Sequence, residues 1–375
     1  MSDSVQATVT PAQQKDERVR SVAGWKKLLH RPEFGSLSGA ILVFIFFILT
    51  AGDSGMFAAD GIVNWVTVSA QLGVIAIGAC LLMIAGEFDL SIGSMIGFAG
   101  MMMTIPAVYW GWPIWAAIIF AFAGAMFIGF LNGYVVVKTG LPSFIVTLAF
   151  LFILRGLTIA LSILFTNRTI VGGVKKFSEG DWLAAMFGGT VGNWFFVWLA
   201  DMGMIESYKD GSPIVEGIPM IIVWCVLLAI ISSWVLLRTS YGNWIYAVGG
   251  DDKAARNVGV PVDKVKISLF MFTAFTATVY AACQVFEFGS AAADRGVLKE
   301  FEAIIAVVIG GALLTGGYGT VIGACLGALI FGVVQMGIFF TGIDSDWFRV
   351  FLGVMLLAAV LFNNYIRKRV TEARH

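Results

Sequence analysis

Residues 244–262 read WIYAVGGDDKAARNVGVPV, the most informative stretch of the chain. It is polar and basic, and it lies between two long apolar runs at about 218–237 and 267–288. Asp251 or Asp252 is placed to cap a helix over KAARNV, Gly259 can supply the left-handed residue that ends it, and Pro261 prevents its continuation. A plain connector between apolar spans needs only a few residues, with no capped helix between glycine hinges. The signals therefore predict a small helical knob standing off a bundle, a surface for a soluble partner. Its residues are Gly250, Asp251, Asp252, Lys253, Ala255, Arg256, Val258 and Gly259. The plain alternative is an ordinary basic loop.

The rest of the 375 residues fits a bundle in a membrane. Hydrophobic residues make up 59% and charged residues 13%, with mean hydropathy +0.88. Soluble chains carry about 25% charged residues, so the fold class is all-α, a polytopic helical membrane protein. Formal net charge is zero, which removes the electrostatic basis for binding nucleic acid. Cys80, Cys225, Cys283 and Cys325 all lie in apolar runs without CxxC spacing and read as buried hydrophobes. His30 and His375 lie in polar tails, so no histidine-centred catalysis or metal site is expected, and no cofactor is called for. No cleavable leader is read in the polar first 30 residues.

About ten segments approach the roughly 20 apolar residues that a crossing needs: 37–52, 62–85, 90–108, 113–137, 142–164, 218–237, 267–288, 303–315, 319–340 and 347–366. The transmembrane domain is thus 37–366, between tails 1–36 and 367–375. Basic residues orient it. Lys15, Arg18, Arg20, Lys26, Lys27 and Arg31 share a side with Arg367, Lys368, Arg369 and Arg374, with Arg238, Lys253, Arg256, Lys264 and Lys266 of the 238–266 loop, and with Lys138. Both tails and that loop are expected to be cytoplasmic. Residues 182–200 are uncharged and nearly long enough to cross, which would reverse everything after them. We therefore expect 165–217 to be an external insertion, either interfacial through Trp182, Trp194 and Trp198 or a re-entrant hairpin.

A gapless shift of 230 residues lays spans 2–4 on spans 8–10, a parallel internal repeat. Gly86, Ile92, Gly93 and Gly97 fall on Gly316, Ile322, Gly323 and Gly327, and Phe88 falls on Tyr318. The sharpest motif in the membrane region is GEFDLSIG, 86–93. Asp89 is placed to cap a helix starting at Leu90, and Gly93 with Gly97 makes a flat face for another backbone. Glu87, Asp89, Ser91, Gly93, Gly97, Gly316, Gly317 and Gly323 are expected to form helix breaks and tight packing, with gating by Glu87 or Asp89 as the functional alternative. Polar groups within spans are few. Arg155 could pair with Glu287 or contact solute. Gln71, Asn132 and Gln284 suit hydroxyl ligands or interhelical hydrogen bonds equally well.

EFDLSIGSMIG, LPSFIVTLAFLFILRGL, IYAVGGDDKAARNVGVPVDKVK and EAIIAVVIGGALLTGGYGTVIGACLGA occur in this order, and together they resemble the permease subunit of ribose- and xylose-type sugar ABC importers. The resemblance covers roughly 60–165 and 218–366; the 165–217 insertion is longer than in the short ribose-type pattern. It implies a pore formed with a second permease copy as a homodimer, embedded in lipid of the bacterial inner membrane. A periplasmic sugar-binding protein would deliver substrate, and a separate cytoplasmic ATPase would grip the loop at Trp244 to Val262. No GxxxxGK[ST] is present, so the chain does not cradle ATP phosphates itself and is expected not to be an enzyme. The rival readings are an ion-coupled secondary transporter, which needs a titratable group near the membrane centre, and a passive channel, which needs no docking helix.

Overall fold

The computed structural model describes residues 32–361 other than 210, 345, 349, 356 and 358–360. The basic residues of both tails fall outside these, as does much of the tenth expected span. Eight helices are long and apolar enough to cross a membrane. They are α1 (Pro32–Ala51), α2 (Ala59–Ile84), α3 (Ile92–Tyr109), α4 (Ile114–Thr139), α5 (Ser143–Thr166), α9 (Met220–Arg238), α12 (Val262–Phe288) and α14 (Val321–Phe340). Their ends follow local chemistry. Pro113, Pro142 and Pro261 stand immediately before α4, α5 and α12, while Gly140, Asn167 and Gly289 end them in the left-handed conformation.

Three helices form the interior. In α2 and α3, 83% of the apolar window is buried, and in α12 78%, against 33% or less in α1, α4, α5 and α9. Small residues set the spacing. Gly129 and Gly133 seat α4 on Phe270–Met271 and Ile267 of α12; a Cβ at either would come within 2.7 Å of that backbone. Gly332 brings α14 onto Ser69 of α2 in the same way.

The internal repeat is visible, with one deviation. Shifted by 230, α3 lands on α14 almost end for end, and Gly86 and Gly316 share a positive φ of 84° and 80°. The counterpart of α2 is different. Of the run 303–315, expected as the eighth span, 303–309 lie in an 11-residue helix, α13 (Lys299–Ile309), which is too short to cross. Gly310 and Gly311 stop it, and it is preceded by an extended stretch, β4 (Ser290–Ala292), and turns through 298.

The insertion contains short pieces, β1 (Ile170–Gly172), α6 (Val174–Ser178), α7 (Trp182–Gly188), β2 (Thr190–Val191) and α8 (Asn193–Asp201), and is followed by β3 (Ile218–Pro219). Residues 182–200 are therefore two helices of 7 and 9 residues, neither long enough to cross. β1 pairs with β4, β2 pairs with β3, and Gly188 lies on the Phe286–Glu287 backbone in the last turn of α12. Trp182, Trp194 and Trp198 are exposed.

Candidate functional site

The knob forms from its own sequence signals. Thr239 caps α10 (Ser240–Gly250), accepting from the Gly242 N–H at 3.2 Å. Of the two candidate aspartates, Asp251 caps α11 (Asp252–Asn257); its Oδ1 accepts from the Lys253 and Ala254 N–H groups at 2.9 Å each. Asp252 thereby keeps its carboxylate for other contacts. Gly259, at φ +88°, turns the chain into Pro261 and α12. An Arg256–Asp263 ion pair of 2.5 Å ties the far end of α11 to the first turn of α12. That carboxylate pushes the Arg256 guanidinium further up from its already high range. Ala255 faces inward, while Lys253, Arg256, Asn257 and Val258 face outward; Val258 is 79% exposed.

The root of the knob is a junction of glycines. Gly249, one residue before the end of α10, lies against the break after α2 and the break after α13 at once. A Cβ on it would sit 1.8 Å from the Ile84 carbonyl oxygen and 2.6 Å from the Gly317 nitrogen. Gly316 is as confined, between the Gly249 carbonyl oxygen and the Cα of Gly86, each 2.8 Å from an added Cβ. The Gly317 N–H donates to the Ile84 carbonyl at 2.8 Å, and the Tyr246 hydroxyl donates to the Gly319 carbonyl at 2.8 Å. Beside it the Tyr241 hydroxyl pairs with Ser268 at 2.6 Å, and burial pushes its phenol up from the ordinary range.

Ion pairs and hydroxyls extend the junction into the bundle. Lys266 of α12 holds Glu87 at 2.6 Å, both side chains largely buried, and reaches Asp252 of α11 at 3.4 Å. Next, Asp89 is enclosed. Its Oδ1 accepts from the Ser91 N–H (2.9 Å) and Ser91 hydroxyl (2.6 Å), and its Oδ2 from the Thr273 hydroxyl (2.5 Å). Asn132, fully buried on α4, donates to Ser91 Oγ at 2.9 Å. The expected capping role of Asp89 is thus corrected. Helix α3 begins at Ile92, because the hydroxyls of Ser143 and Thr147 on α5 take the Phe88 and Leu90 N–H groups at 3.0 Å and hold 88–90 out of the helix.

A family model described as branched-chain amino acid transport system / permease component matches residues 61–360. The chain belongs to that permease family. Among similar proteins are the xylose transport system permease protein XylH of Haemophilus influenzae, 30% identical over 88% of this chain and 96% of its own. The ribose import permease protein RbsC of Escherichia coli strain K12 is 30% identical over 87% and 92%. A probable ABC transporter permease, y4mJ of Sinorhizobium fredii, is 30% identical over 89% and 90%. No solved structure matches significantly. Membership makes the chain a multi-pass membrane transport component.

The remaining expected residues of this permease separate into two groups. Gln284, on α12, donates to the Tyr280 hydroxyl at 2.9 Å, and Gln71 lies partly buried on α2. The expected Arg155–Glu287 pair is corrected. Glu287 lies within the field of Arg295 and Lys175, whereas Arg155, near the middle of α5, lies within the field of Glu300 on α13. The helix registers that decide this are set by packing across the bundle, not by sequence spacing. Glycine contacts divide along the repeat. Gly93 and Gly97 lie on the backbone at 292–296 and on Glu300, while Gly323 and Gly327 lie on Gly310 and Ala306. Sequence reasoning missed Ser143, Thr147 and Thr273, whose hydroxyls hold the 86–91 loop; three hydroxyls on otherwise apolar helical faces were the available signal. It also missed Arg295, Lys299, Glu300 and Glu302, because hydropathy registers only the apolar half of the broken crossing.

Proposed function

We propose that this permease is the membrane-spanning part of an ATP-driven importer that carries a monosaccharide or sugar-like polyol across the bacterial inner membrane. A separate cytoplasmic ATPase grips α10–α11, a periplasmic sugar-binding protein delivers the solute to the opposite face, and two copies of the chain enclose the passage. Both termini are cytoplasmic. The observation that carries the reading is the seating of Gly249 on both repeat breaks. A partner that moves the knob moves the ends of α2 and α13 with it, so work done outside the bundle reaches the helices that close it. The similarity to permeases named for xylose and ribose supports a pentose as solute, and the absence of any phosphate-cradling motif supports a borrowed motor.

The test is reconstitution with the cognate ATPase and binding protein in liposomes, following labelled xylose. ATP-dependent accumulation that disappears when the ATPase is omitted is the expected result. Full-rate xylose movement by the permease alone, without nucleotide, overturns the reading and favours a passive channel.

A further inference from the structure

The segment between β4 and α13 is in an unusual position for irregular backbone. Gly97 of α3 lies against the Ala293 and Arg295 carbonyls, and Gly93 against that of Gly296. Gly97 is twelve residues before Tyr109, the end of α3, which places this segment about 18 Å below that end at 1.5 Å per residue. Residues 293–298 are therefore turns, not helix, at membrane depth. Leu298 has φ +67°, a conformation a leucine rarely adopts. One side of the segment is buried against α3 and α12, but the other is open: Asp294 is exposed, and Val297, Leu298 and Phe301 are each 41–43% exposed.

Lipid does not tolerate this arrangement. Non-helical backbone in the hydrocarbon layer persists only where protein buries it or where it lines a water-filled cavity. An exposed carboxylate such as Asp294 faces a bundle interior or a hydrated path for the same reason. A second sign comes from the other side of α13. Glu300 Oε2 and Arg155 Nη2 are both buried and have no hydrogen-bond partner in the structure, although the two residues lie within each other's field. Polar capacity is thus left over on both faces of the broken crossing.

We infer that the broken crossing forms the solute-facing wall of the passage, with Asp294, Val297 and Phe301 presented to the solute. The pairing of a carboxylate with small and aromatic apolar groups suits a neutral polyol, whose hydroxyls donate to Asp294 and whose C–H face rests on Phe301. This wall lies on the outside of one bundle, so it encloses a passage only when a second copy presents the same wall across a twofold axis. The inference deepens the importer reading and rests on it for the class of solute.

Cysteine accessibility tests it. In full-length protein with Cys80, Cys225, Cys283 and Cys325 replaced by alanine, single variants Asp294→Cys, Val297→Cys and Phe301→Cys are treated in membrane vesicles with a membrane-impermeant thiol reagent. Ile230→Cys and Phe127→Cys, on the exposed faces of α9 and α4, serve as references. Because only a hydrated thiol ionises to the reactive thiolate, the three wall positions should react roughly tenfold faster or more than the references. Saturating xylose should slow them. Reaction no faster than at the references overturns the hydrated wall, and fast reaction that xylose leaves unchanged overturns the solute contact. ATP-dependent uptake by the same vesicles is scored separately, so failure of the importer reading is distinguishable from failure of the wall.

Discussion

Replacing Lys266 by methionine tests the link between the knob and the membrane core. The ammonium group lies 2.6 Å from the Glu87 carboxylate with side chains only 14% and 12% exposed, and among the described residues it is the cation paired with that acid. Methionine fills a similar volume but leaves the carboxylate buried and unpaired. Removing one partner of a buried pair costs about 3–5 kcal/mol, and the residual exposure here puts the loss near the lower end, about 3 kcal/mol. The Asp252 contact adds little, since at 3.4 Å and 47% exposure it belongs with surface pairs worth about 0–1 kcal/mol. The companion variant Glu87→Leu/Lys266→Met removes both charges and should return to within about 1 kcal/mol of the parent, because apolar replacement of a whole buried pair is often neutral. Reversible unfolding in mixed detergent micelles gives both numbers, with ATP-driven uptake measured alongside. If the single variant is as stable as the parent, or if the double variant loses as much as Lys266→Met alone, the pair does not connect these elements.

Other perturbations bear on the same region. Gly249→Ala should abolish recovery of folded protein, since its Cβ would lie 1.8 Å from the Ile84 carbonyl oxygen, while Gly250→Ala, with open space around it, should yield parental amounts; size-exclusion chromatography reads both. Arg256→Glu should leave stability close to parental, because the lost ion pair is exposed, yet should sharply reduce co-purification with the ATPase; unchanged recovery of the complex contradicts the docking surface. Gly259→Val places a β-branched residue at φ +88° and should cost about 1–3 kcal/mol locally, leaving membrane insertion intact while ATP hydrolysis loses its coupling to uptake.

What could be read from the sequence was what neighbours along the chain determine. Asp251, Gly259 and Pro261 act on residues within three or four positions, so the knob and both its ends were legible. The positive-φ turns at Gly86 and Gly316 were legible for the same reason, through the repeat. Their meeting at Gly249 was not, since it joins residues more than sixty positions apart through packing alone. The eighth span reads as truncated because the six residues before α13, 293–298, are turns that carry Asp294 and Arg295 and so fall outside any apolar run. Which acid lies near Arg155 depends on how α5 and α13 are set beside one another, which spacing along the chain does not reveal. Lys266 looked like one more basic residue of a cytoplasmic loop, and its role appears only once Glu87 is folded back against it.

The bare contact at Gly86, Gly249 and Gly316 has a mechanical consequence. Side chains absorb small displacements by changing rotamer, and here no side chain intervenes: main chain bears directly on main chain from three elements. A shift of a fraction of an ångström at α10 leaves no slack to be taken up, and the stems of both halves of the repeat must travel together. The junction therefore behaves as a rigid crank with no compliance of its own.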